Sequence, residues 1–106
     1  MAGGAWVTVG EYAEMYRRMA ERARDARSAW LLRLAARVLE DASFALMNGR
    51  AGMRVLEDLR TVEEMLRYRR LPVEPVRHTI RIVASSIRSR LQAPGLEGFD
   101  MIGLPA

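Results

Sequence analysis

The chain has 106 residues, 50% of them hydrophobic, and a formal net charge of +4. That length and apolar content fit one folded domain and exclude a disordered chain. With no cysteine, a disulfide framework, a thiolate zinc site and a thiol nucleophile are excluded, and the redox compartment stays undecided.

Thr8 and Glu11 form a capping-box pattern at the start of the first helical stretch. Tyr12, Met15, Met19, Ala23, Ala26 and Trp30 follow at steps of three and four, and Leu34, Val38, Ala42 and Ala45 continue the series. No glycine or proline interrupts residues 11 to 47. The spacing predicts either one helix over about 9–47 or two helices, about 9–27 and 29–47, with Ser28 as the second cap. The broken form is preferred, because the halves can then cover each other's stripe. Trp6 lies ahead of this region, placed to staple the helix or face a partner. The Trp30-Leu31-Leu32 run ends at Arg33, far short of the roughly 20 residues of a membrane span. The N-terminus has no signal-peptide pattern, and the expected location is the cytoplasm.

Asn48-Gly49 is a helix stop. A third helix is expected over about 51–70, with Val55, Leu59, Val62 and Leu66 on its stripe. Pro72 and Pro75 punctuate the next start. A fourth is expected over about 75–92, striped by Val76, Ile80, Val83, Ile87 and Leu91. Ala93-Pro94-Gly95 ends it, leaving an irregular tail over 93–106. The expected architecture is all-α: a compact bundle of three or four helices over 1–92, followed by the tail. Met15, Met19, Met47, Met53 and Met65 read as core filler.

All 17 basic residues are arginine. This fits a GC-rich genome, the preferred reading; the other is a use for planar bidentate donors on carboxylate or phosphate. Asn48 and Gln92 are the sole side-chain amides, a composition in keeping with a thermophile. Residues 1–66 balance ten arginines with ten acids, many at helical pair spacing: Glu14 with Arg18, Arg37 with Asp41, Arg54 with Asp58. Residues 67–92 carry seven arginines against Glu74 alone. In a helix, Arg77, Arg81 and Arg88 fall within roughly 40° of one another, with Ser85 near the same face. This row, flanked by Arg70 and Arg90, is a candidate contact for nucleic-acid phosphates, DNA or RNA, with little base reading. The competing reading pairs the row with Glu57, Asp58, Glu63 or Glu64, and leaves Arg67, Arg69 and Arg70 to complement a helix dipole.

Catalysis has little support. His78 is the sole histidine, so a histidine metal site lacks partners. The adjacent acids Glu40-Asp41, Glu57-Asp58 and Glu63-Glu64 point about 100° apart on a helix and read as surface charge. No phosphate-loop, dinucleotide or nucleophile-elbow motif occurs. No cofactor and no metal are expected.

In the tail, Leu96, Phe99, Met101 and Ile102 alternate with acids and glycines, which suits either a linear motif for a protein partner or an arm folded on the bundle. With Gln92 the tail is distantly similar to the clamp-binding pattern Q-x-x-aliphatic-x-x-aromatic-aromatic. Gly95 occupies the aliphatic slot, however, and Phe99 comes one position late without a second aromatic.

The expected function is a non-catalytic nucleic-acid-associated protein, a small subunit of a nucleoprotein complex. In size and general look it is similar to the small helical subunits of archaeal CRISPR effector complexes, an analogy that no motif carries. The alternative is a protein-interaction or oligomerisation module, acting through the long apolar stripe and the tail, with a homo-oligomer as one form.

Overall fold

The computed structural model describes residues 4–91. They form four helices, α1 Gly4–Arg22, α2 Ala26–Met47, α3 Met53–Tyr68 and α4 Glu74–Leu91. Each helix packs on the next and α4 returns to α1, closing an all-α bundle. The α1–α2 pair is the most extensive contact. No described helix is long and apolar enough to cross a membrane.

The break between α1 and α2 falls slightly earlier than Ser28. Asp25 is the cap, in extended conformation, and its carboxylate accepts the backbone N–H of Ser28 at 3.0 Å. A carboxylate reaches that amide while its negative charge faces the positive helix end, so Asp25 takes the cap and Ser28 becomes the third helical residue. Hydrogen bonding from Ser28, with help from nearby Arg69, lowers the Asp25 pKa. At the other end, α1 begins at Gly4. Thr8, Glu11 and Trp6 therefore lie inside the helix, and the capping-box reading is corrected.

The α1–α2 seam is lined by small residues. Ala13 and Ala20 of α1 and Ala29, Ala35, Ala36 and Ala42 of α2 are all buried. Gly10 sits where an added Cβ would lie 3.4 Å from the Ser43 hydroxyl oxygen. That hydroxyl donates to the Trp6 carbonyl at 2.7 Å. Val9, Tyr16, Leu31, Leu32, Leu39, Leu59, Val62, Leu66, Val76 and Val83 complete the core. The expected α1 stripe is thus displaced by one position. Tyr12, Met15, Met19 and Ala23 pack at its edge, Ala26 is exposed, and Trp30 is 59% exposed. Met47 and Met53 are also exposed rather than core filler.

Two reversals position α4. Gly49 takes φ +69° after α2, where glycine carries no Cβ penalty. The backbone N–H groups of Gly49 and Arg50 close the helix end on Leu46 and Ala45. After α3, Arg70 adopts φ 59°, and the N–H groups of Arg70 and Leu71 bond back to Arg67 and Leu66. This is the same C-terminal closure with arginine in the glycine place. The Tyr16 hydroxyl, deep in the bundle, donates to the Pro72 carbonyl at 2.8 Å and ties α1 to the start of α4. Burial raises its pKa, opposed by the Val76 backbone N–H.

Candidate nucleic-acid interface

α4 buries Val76, Thr79 and Val83. Thr79 satisfies its hydroxyl by donating to the Pro75 carbonyl one turn back, at 2.8 Å. That inward face fixes which arginines point away from the core.

The five arginines expected to form the interface separate into two kinds. Arg77 is engaged within the bundle: its Nε donates to Glu63 at 2.7 Å and its Nη1 to Glu74 at 3.2 Å. These bonds raise its pKa, the Glu63 bond most. Glu63, its side chain only 15% exposed, also accepts Arg67 at 2.9 Å. It is therefore a bridge between α3 and α4 rather than plain surface charge. Arg90 donates through Nη1 to the carbonyls of Gly49 at 2.9 Å and Ala51 at 3.0 Å. It clips the end of α4 to the α2–α3 connection.

Arg81 and Arg88 remain. Both are exposed and form no ion pair among the described residues. They stand seven residues apart, two turns and about 10.5 Å along one side of α4, with exposed Ser85 between them. Arg70 is also exposed and without an ion pair among these residues, on the connection leading into α4. Its neighbour Arg69 reaches Asp25 at 3.3 Å.

No protein-family model, curated protein sequence or solved structure matches the chain.

Other expected features fall elsewhere. His78 is exposed and meets Tyr12 of α1 edge-on, ring centroids 5.8 Å apart. Among the described residues no group of three or more potential ligands converges as a metal site. Glu14 pairs with Arg18 as its spacing predicts, and Arg17 bridges Glu14 and Glu40. The Arg37–Asp41 and Arg54–Asp58 pairs are not formed. Leu96, Phe99, Met101 and Ile102 lie outside the described residues.

Sequence spacing missed one grouping. Trp30, Arg33, Arg37 and Phe44 are all exposed, and at 100° per residue they fall within roughly 60° on the outward side of α2. The signal was present in the sequence, masked by reading Trp30 as part of a core stripe.

Proposed function

We propose that the protein binds the phosphate backbone of nucleic acid through the exposed side of α4, as a non-catalytic component of a nucleoprotein complex. The observation that carries this reading is the Arg81–Ser85–Arg88 row, two guanidiniums on one open helix face without an acidic partner among the described residues. Other exposed arginines also lack an ion pair among the described residues, but Arg81 and Arg88 share one side of α4 with no acid within four positions of either. A guanidinium left unpaired keeps its planar fork for phosphate oxygens. Arg70 adds charge at the entry to the same helix. Arg77 and Arg90 hold α4 in place, so they present the row rather than form it. Such contacts set position on a backbone and carry no sequence information.

The test is fluorescence-anisotropy titration with labelled single- and double-stranded DNA and RNA across a salt series. The expected result for the Arg81→Gln/Arg88→Gln variant is weaker binding and a log–log salt slope shallower by about 2, one per lost contact, with an unchanged circular dichroism spectrum. An unchanged slope, or no binding of the parent protein to any of the four at low salt, overturns the reading.

A further inference from the structure

On the outward side of α2, two aromatic rings flank two arginines. Trp30 is 59% exposed and Phe44 is 65% exposed. Arg33 and Arg37 lie between them, exposed and without an ion pair among the described residues. The order ring, guanidinium, guanidinium, ring extends over about 21 Å of helix. The inward side of α2 is already filled by Leu31, Leu32, Leu39 and the alanines, so these rings are surplus to the core. A buried aromatic side chain removes about 150–250 Å² from water; these two, more than half exposed, bury only a minor share of that.

The charge beside the rings selects what covers them. Glu40 is turned toward Arg17 of α1, leaving Asp41 as the acid nearest the arc, and it pairs with neither arginine. An apolar protein partner would bury Arg33 and Arg37 without compensation. A second copy related by a two-fold axis would bring the arginines toward their own images. A polyanion with free π-faces meets both demands. In a duplex the bases are stacked on one another, whereas in a single strand they are open to stack on protein rings. Beside the Trp30 end, Leu31, Met65 and Tyr68, the last 86% exposed, border a hollow of about 350 Å³ between α2 and α3. Glu64 and Arg69 also line it; the Arg69 Nε is buried without a hydrogen-bond partner, while its Nη2 is held by Asp25.

We infer that the outer face of α2 binds single-stranded nucleic acid, with bases stacked on Trp30 and Phe44 and phosphates held by Arg33 and Arg37. The inference rests on the nucleic-acid reading above but uses a different face and a different chemistry, base stacking in place of backbone contact alone.

Trp30 supplies its own readout once Trp6 is replaced. In a Trp6→Phe background, titration with a 12-nucleotide oligo(dT) quenches the Trp30 emission, and a duplex of equal length does not. Trp30→Ala and Phe44→Ala in the parent protein each weaken oligo(dT) binding at least about fivefold and leave duplex binding unchanged. Arg33→Gln/Arg37→Gln flattens the single-strand salt slope by about 2, while Arg54→Gln/Arg60→Gln on α3 has a smaller effect. Ring variants that bind oligo(dT) like the parent, or emission that stays constant through saturation, overturn the inference. If that occurs while the Arg81/Arg88 variant still loses binding, the α4 reading survives alone. The reverse pattern removes α4 and retains α2. A concentration-dependent dimer that disperses on Trp30→Ala, with no quenching by oligo(dT), overturns the inference in favour of a second copy.

Discussion

Replacing Tyr16 by phenylalanine deletes one oxygen atom from a side chain that is 0% exposed. The ring keeps its place against the core, so no cavity larger than an oxygen is left. What is lost is the 2.8 Å bond to the Pro72 carbonyl and the acceptor that faces the Val76 N–H. Loss of such a bond, with its partner left unpaired, costs about 1.5 kcal/mol. For a domain of this size that lowers Tm by roughly 6–12 °C. Urea denaturation should show the same loss with an unchanged slope. The effect also has a pH signature. Burial raises the Tyr16 pKa above its unfolded value of 10.0, so the unfolded chain ionises first. The stability Tyr16 contributes is whole below pH 10 and is lost as pH rises from there toward the folded pKa. At about 1.36 kcal/mol per pH unit, the parent's advantage is offset near pH 11, and the stability curves of parent and variant meet there. A Tm within about 2 °C of the parent at pH 7, or a gap that stays constant from pH 8 to 11, would refute the assignment of a dry, bonded hydroxyl.

Three further outcomes follow from the helix ends and clips. Arg70 stands in the left-handed region, so Arg70→Gly should raise stability by about 1 kcal/mol, read as a higher Tm, while removing one backbone contact from the proposed row. Asp25→Ala removes the α2 cap and should lower Tm at neutral pH. Since the Asp25 pKa is lowered on folding from 3.8, that difference should be present above pH 3.8 and shrink as pH falls through the folded pKa. Arg90→Ala frees the carbonyls of Gly49 and Ala51; a drop of about 1 kcal/mol with an unaltered nucleic-acid salt slope is expected, the opposite of the Arg81/Arg88 variant.

Two of the three helix breaks were legible because the chain punctuates itself there, while the break before Ala26, with no glycine or proline between 11 and 47, left three or four helices open. Asn48-Gly49 and the Pro72/Pro75 pair mark stops whose chemistry is local, and the structure turns at those places. The inward face of α1 was less legible. Hydropathy favours large residues, so the stripe was drawn through Met15, Met19 and Trp30. The buried positions are instead Val9, Ala13, Tyr16 and Ala20, with Tyr12, Met15 and Met19 packed at the edge. The start of α1 was misplaced because Thr8 and Glu11 satisfy a cap pattern that an uninterrupted helix also tolerates. The arginines were legible as a charge excess but not as individuals. Whether Arg77 is free or engaged depends on Glu63, fourteen positions earlier on another helix, and the role of Arg90 depends on backbone carbonyls 39 and 41 positions away. Pairings of that range are products of the fold, and no spacing rule on one helix reveals them.

The alanine seam between α1 and α2 has a consequence for how the chain can change. Alanine has no rotamers to freeze, so the distance between these helices is set by backbone and methyl groups, like a rule cut to one length. A larger residue at Ala35 or Ala36, 0% and 2% exposed, must displace the helices around it, at a cost of typically 1–3 kcal/mol. The arginines and rings on the outer faces answer to no such constraint. Sequence drift is therefore free to retune what the protein touches, while the seam beneath holds those faces at a constant spacing.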